Sequence, residues 1–140
     1  MSPAPIHATT VAIDGVAVLL LGPSGSGKSD LALRLIDRGA VLVADDYTVV
    51  TVHDGALRAT APDTIRGKIE VRGVGIMPID AIDDVPIRLA VRLDQPVERL
   101  PLETQATYHG VAIPQIAIAP FEASAPIKVE MAVRHATEAS

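Results

Sequence analysis

The sequence predicts an α/β fold, a mixed and partly antiparallel sheet with a phosphate-binding loop set between one of its strands and a helix. Three observations carry this. Gly22-Pro23-Ser24-Gly25-Ser26-Gly27-Lys28-Ser29 has the spacing Gly-x4-Gly-Lys-Ser and lies directly between the apolar run Val16 to Leu21 and a helix-like segment, the context that the motif demands. Asp14-Gly15 and Asp54-Gly55 each join two β-branched or aliphatic runs, as the turns of two-residue hairpins do. Hydrophobic residues make up 49% of the chain with only one Phe, two Tyr and no Trp, so the core is aliphatic, as where buried strands are rich in Val and Ile. The length of 140 residues predicts a single domain over 1–140.

In chain order, Ile6 to Ile13 and Val16 to Leu21 read as a hairpin. From Ser29 to Arg38, Leu31, Ala32, Leu35 and Ile36 recur at helical spacing, Asp30 and Arg34 stand one turn apart, and Gly39 supplies a stop. Val41 to Ala44 is a buried strand that delivers Asp45 and Asp46 at its C-terminal end, where open α/β sheets place ligands. Tyr47 to Val52 and Ala56 to Thr60 form a second hairpin. Pro62 to Lys68 reads as a short helix with Pro62 in its first turn, and Ile69 to Ile79 as a loop-rich apolar stretch broken by Gly73, Gly75 and Pro78. Ile87 to Leu93 and Val111 to Ile118 are further strands, with Pro101 marking a turn and Pro114 an edge. Ser124 to His135 closes the chain as a capped helix on which Ile127 and Met131 stand one turn apart.

Composition excludes several classes. A net charge of −5 and the lack of any basic run remove the electrostatic footprint of a nucleic-acid binder. With no cysteine there is neither a disulfide nor a thiolate metal site. The first twenty residues lack a basic start and a cleavable apolar core, and Val16 to Leu21, the longest apolar run, is far too short to span a bilayer. No membrane partner is expected, and a cytoplasmic location is.

The chemistry begins at the loop. Glycines let successive backbone N–H groups converge on phosphate oxygens, and the helix N-terminus adds its orphan donors and dipole. Lys28 would reach the outermost phosphates, and the Ser29 hydroxyl would enter the coordination sphere of Mg²⁺. The loop alone specifies a nucleoside triphosphate, not whether the product is a hydrolysed nucleotide, a phosphorylated metabolite or a phosphorylated protein. Asp45 and Asp46 narrow this, because phosphoryl transfer uses carboxylates to hold the metal or orient the nucleophile. Successive strand residues face opposite ways, so both can serve one site only if the chain turns there.

GPSGSGKSDLALRLIDRGAVLVADD, followed by APDTIRGKIEVRGVGI, resembles the catalytic domain of bacterial HPr kinase/phosphorylase, from about His7 to the C-terminus. The block Ile69-Glu70-Val71-Arg72-Gly73-Val74-Gly75-Ile76 matches that family's hallmark E-I-R-G-x-G-I. The resemblance implies a P-loop kinase domain, related in architecture to phosphoenolpyruvate carboxykinase, that uses ATP and Mg²⁺ to phosphorylate a serine of the phosphocarrier HPr. It also implies a homo-oligomer, commonly a hexamer. Residue by residue, it makes Asp46 the acceptor of the seryl proton, Asp45 a support for it or for the metal, and Ser29 and Glu70 the magnesium residues. Arg72 joins the catalytic block, His7 stands beside Asp46, and Arg99 falls where the family has a catalytic arginine. A small-molecule kinase and a non-catalytic nucleotide-binding regulatory module are the competing readings.

Three departures stand out. Only a few residues precede His7, so the family's amino-terminal domain is expected to be missing and the chain to be a minimal catalytic version. The segment between Ile76 and Ile87 is shortened and carries Asp80, Asp83 and Asp84. Ala119-Pro120-Phe121-Glu122-Ala123-Ser124 replaces the P-V-x-P-G-R stretch associated with dephosphorylation, and its lack of arginine predicts a chain that is principally a kinase.

Overall fold

Among residues 4–138, which the computed structural model describes, ten strands and two helices follow one another: β1 (Ile6–Ile13), β2 (Val16–Leu21), α1 (Lys28–Asp37), β3 (Val41–Ala44), β4 (Tyr47–His53), β5 (Ala56–Thr60), β6 (Lys68–Val71), β7 (Gly75–Pro78), β8 (Val85–Arg92), β9 (Thr104–Tyr108), β10 (Val111–Ala117) and α2 (Ala125–Glu138). β1 and β2 pair antiparallel with Ile13 opposite Val16, so Asp14-Gly15 is the whole connection. Both turn residues take positive φ, 51° and 82°, as the type I′ turn favoured by Asp-Gly requires. The second Asp-Gly closes β4 onto β5 in the same way.

β2 explains its unbroken apolar run by being buried on both faces. Val18 and Leu20 pack with Leu31 and Leu35 of α1 and Val129 and Val133 of α2, while Ala17, Leu19 and Leu21 face a second cluster with Val50, Leu57 and Ile87. The second edge of β2 runs parallel to β8, from Ala17 opposite Ile87 to Leu21 opposite Arg92. β8 also pairs with β5, β5 with β4, and β4 with the start of β1, so these five strands close into a ring. The sheet is mixed: among the described strands β2–β8 and β8–β10 are the parallel pairs.

One feature of this ring prepares the site. β3 and β4 lie end to end along one edge of β1, both antiparallel to it, with Ala44 opposite Thr10 and Tyr47 opposite His7. Two residues lie between the pairs on each strand, so the register carries through Asp45 and Asp46. The two aspartates therefore interrupt one long strand and stand next to Ala8 and Thr9.

Three expectations change. Pro62 to Lys68 is not a helix but two successive turns closed by Ile65 N–H to Pro62 O and Lys68 N–H to Ile65 O, with Arg66 donating to Ala61 O and Asp63. Ile69 to Ile79 holds a hairpin, β6 and β7, that forms its own two-stranded sheet. Pro114 does not mark an edge strand, because β10 lies between β8 and β9 and β9 is the edge. Opposite Gln105 it occupies a non-hydrogen-bonded position of the β9 ladder, and pairing with β8 begins only at Gln115, so no bond needs the N–H that proline lacks. On α2, Ile127 and Met131 face solvent, and Ala125, Val129 and Val133 form the buried stripe.

The shortened connection after β7 docks against the body. Ile82 N–H donates to Leu42 O, Arg58 pairs with Asp84, and Asp83 meets both Thr60 and Arg66. No helix among the described residues is long and apolar enough to cross a membrane.

Candidate active site

The P-loop leaves β2 at Leu21 and enters α1 at Lys28. Leu93 N–H donates to Leu21 O, so the end of β8 braces the loop's base. At Gly22 a β-carbon would lie 2.5 Å from Ser26 Oγ, which is why the loop can fold tightly there only with glycine. Lys28 is buried, and its Nζ donates to Gly22 O at 2.7 Å and Pro23 O at 3.1 Å, crossing the mouth of its own loop. Ser26 Oγ is buried against Gly22 and has no hydrogen-bond partner among the described residues.

Asp45 is a hub. Its Oδ1 accepts from Ser29 Oγ at 2.6 Å and Thr9 Oγ1 at 3.2 Å, and its Oδ2 accepts from the Glu70 backbone N–H at 2.9 Å. The strand of the hallmark block is thereby tied to the P-loop helix through one buried carboxylate. Asp46 takes φ 65°, and Tyr47 N–H donates to Asp45 O at 2.7 Å, so the chain does turn between the two aspartates. The turn lets both face the cradle. Asp46 Oδ1 lies 2.7 Å from His7 Nε2 and 4.0 Å from Lys28 Nζ, with its side chain about half exposed. Thr9 Oγ1 accepts the Asp46 N–H at 2.9 Å, and the Tyr47 ring stacks on His7 with centroids 5.4 Å apart.

The structure thus brings together His7, Lys28, Ser29, Asp45 and Asp46. Glu70 joins through its main chain, with its side chain exposed. Arg72 lies exposed in the turn between β6 and β7, and Arg99 in the exposed stretch between β8 and β9; neither forms an ion pair among the described residues. Thr9 is the residue that sequence reasoning missed. Its only signal is that it stands two positions from His7 on one strand and so shares its face. His109 is occupied elsewhere, bonded to Val50 O.

Hard oxygen donors 2.6 Å apart, Ser29 Oγ and Asp45 Oδ1, suit Mg²⁺, which takes one or two carboxylates and fills its remaining positions with water and phosphate oxygens. The residues present fit that ion. Among the described residues no group of three His, Cys, Asp or Glu side chains is placed to hold a metal ion, so phosphate and water would complete the shell.

Burial holds the Lys28 ammonium below its ordinary pKa of 10.5, although Asp46, Asp45 and Asp94 pull the other way. A polyphosphate in the loop raises it again. Between the two values binding takes up a proton, so affinity for ATP is expected to be highest below the free protein's Lys28 pKa and to fall as pH rises through it. Titration calorimetry in two buffers of different ionisation heat measures that uptake. An affinity that stays flat up to 10.5 contradicts it. At the end of β8, Asp94 is held below the usual carboxylate range by the hydrogen bonds of Arg92.

Residues 2–138 match the family described as HPr Serine kinase C-terminal domain. The chain is 36% identical over 127 residues to the HPr kinase/phosphorylase of Caldanaerobacter subterraneus, a match covering 81% of this chain and 42% of that protein. It is 40% identical over 111 residues to that of Leptothrix cholodnii, covering 69% and 34%, and 47% identical over 77 residues to that of Clostridium novyi, covering 55% and 25%. The chain therefore spans from a quarter to less than half of the length of these relatives. Its fold is similar to the HPr(Ser) kinase/phosphatase structure from Coxiella burnetii, with a TM-score of 0.84 and 26% identity over 98% of both chains.

Proposed function

The chain belongs to the HPr serine kinase C-terminal domain family, and on that premise we propose that it is an ATP- and Mg²⁺-dependent protein kinase that phosphorylates a seryl hydroxyl of the phosphocarrier HPr. One observation carries the reading: the Asp46 carboxylate stands 4.0 Å from the Lys28 ammonium at the mouth of the P-loop and is bonded to His7. A proton acceptor next to the cation that holds the outer phosphates is what transfer to a hydroxyl needs.

The chain's residues divide the work. The loop N–H groups and Lys28 hold the triphosphate, Lys28 exchanging its bonds to Gly22 O and Pro23 O for phosphate oxygens. Ser29 and Asp45 would hold Mg²⁺, with Glu70 beside them; the ion, when bound, neutralises charge on the phosphates. Asp46 accepts the seryl proton as the serine oxygen bonds to the γ-phosphorus and the β–γ bridge breaks, its electron pair leaving with ADP. His7, steadied by Tyr47, donates from Nε2 to the Asp46 carboxylate and positions it toward the cradle. Arg72 and Arg99, both on exposed turns, are assigned to the transferring phosphoryl group once the acceptor protein covers them.

Phosphorylase activity is weak or lost in this reading. Attack of inorganic phosphate on phosphoserine joins two anions and needs added positive charge, and Ala119 to Ser124 contains none. The Glu122 carboxylate pairs with Lys128 at 3.6 Å, while Arg34, whose guanidinium does reach this segment, spends it on carbonyls and on Asp30. A cytoplasmic homo-oligomer, a hexamer by resemblance, belongs to the same reading; Leu100 and Leu102, each 84% exposed, are apolar surface that such assembly would cover.

The test is incubation of the protein with labelled ATP, Mg²⁺ and purified HPr, and separately of phosphoserine HPr with inorganic phosphate. Label on a serine in the first and little pyrophosphate in the second are expected. Transfer to a metabolite with none to HPr overturns the substrate, and pyrophosphate release at a rate comparable to the forward reaction overturns the direction.

A further inference from the structure

Phe121 is the one phenylalanine of the chain, and it is 71% exposed. It nonetheless has a fixed place. Its ring lies so close to the P-loop that a β-carbon on Gly27 would stand 3.0 Å from Phe121 Cζ and 3.1 Å from Cε1, and 3.2 Å from the Pro120 β-carbon. Gly27, with φ 97°, is the loop residue immediately before Lys28. The ring edge therefore borders the phosphate cradle.

The backbone that carries the ring is anchored to the cradle's own helix. Arg34 of α1 donates to Pro120 O and to Glu122 O, the carbonyls on either side of Phe121, and its Nε is held by Asp30 at 3.1 Å. Turns closed by Glu122 N–H to Ala119 O and Ala125 N–H to Glu122 O shape the rest of the segment. A large apolar ring held at fixed register beside a polyphosphate site, with most of its surface in water, is poor economy for stability and good geometry for a flat ligand.

We propose that Phe121 is the platform on which the base of the bound nucleoside triphosphate stacks. The proposal rests on the P-loop reading given above and adds the base subsite to it. A triphosphate seated in the loop projects its sugar and base from the mouth that Phe121 borders. Every nucleobase presents a π face, and stacking on an aromatic side chain is worth roughly tenfold or more in affinity. The wider purine ring system gains more contact than a pyrimidine. The segment that lacks the family's arginine thus contributes to nucleotide binding, with no positive charge of its own to meet phosphate.

The experiment compares binding of ATP and of inorganic tripolyphosphate, both with Mg²⁺, to the wild-type protein, Phe121→Ala, Phe121→Trp and Lys28→Ala. Phe121→Ala is expected to weaken ATP about tenfold and leave tripolyphosphate unchanged, with Phe121→Trp restoring ATP. Because the chain has no native tryptophan, the fluorescence of Phe121→Trp reports this site alone and should be quenched by ATP and not by tripolyphosphate. Equal loss for both ligands, no loss for ATP, or a raised KM for the acceptor protein with ATP affinity unchanged each overturns the proposal. If wild type binds neither ligand, or Lys28→Ala binds both as well as wild type, the P-loop reading itself falls and takes the base subsite with it.

Discussion

Asp46→Asn is expected to lower the rate of phosphoryl transfer to HPr by about 10²- to 10⁴-fold, the range that a positioned general base contributes, while ATP still binds. Asparagine is the right probe for a physical reason. Asp46 has φ 65°, a left-handed conformation that Asn and Asp tolerate far better than other side chains, so alanine would confound lost chemistry with backbone strain. The amide oxygen can still accept the bond from His7 Nε2, and the Thr9 hydroxyl still accepts the residue 46 N–H, so the turn persists. What is lost is basicity and the negative charge 4.0 Å from Lys28. A steady-state assay with HPr and a separate ATP titration divide the two effects. A variant that keeps more than a tenth of wild-type kcat would remove Asp46 from the role of base.

Asp45→Ala is expected to strike both stability and catalysis. The buried carboxylate serves the Ser29 and Thr9 hydroxyls and the Glu70 N–H, and removing it strands those groups. A buried donor left unsatisfied costs about 1–3 kcal/mol, and the Glu70 N–H cannot rotate to find another partner as the hydroxyls can. Urea unfolding should show that loss as a lower midpoint, and titration of the activity with Mg²⁺ should show half-maximal activity moved to a higher Mg²⁺ concentration, or no activation at any concentration. Asp45→Asn is intermediate: its oxygen can still accept from the hydroxyls, but its NH₂ then faces the Glu70 N–H, donor against donor. An Asp45→Ala midpoint equal to wild type would refute the hub.

The contrast between these two adjacent aspartates shows where legibility in the sequence stops. The P-loop, α1 and the first two hairpins were readable because their signals are local: glycine spacing, helical periodicity, and Asp-Gly at positions that need positive φ. β9 was not, since Thr104 to Tyr108 is an edge strand with little apolar alternation, and its two-residue turn is His109-Gly110 in place of Asp-Gly. On the closing helix two stripes share the same spacing, Ile127 with Met131 and Ala125 with Val129 and Val133, and periodicity does not choose between them. Packing against β8 and α1 does, and it selects the smaller residues that let the helix sit close. The β6–β7 hairpin was hidden for a similar reason: among the described residues its strands pair with each other alone, and Ile76 and Met77, on opposite faces of β7, are both exposed.

By itself the sequence determined the kind of ligand, the identity of Lys28, Ser29, Asp45, Asp46 and His7 as the residues to watch, and the strand-loop-helix unit that presents the first two. His7 follows from the family resemblance, and the others from contacts spanning a few residues or from motifs whose spacing is their geometry. Only the tertiary structure decided what each aspartate touches, because that depends on β3 and β4 lying end to end along β1 and on the single left-handed residue between them, which turns Asp45 toward Ser29 and Asp46 toward His7. The same holds for Thr9 and Phe121. Each acts on a partner tens of residues away, and a contact across that distance exists only after the sheet has closed and Arg34 has fixed the last loop against the first helix.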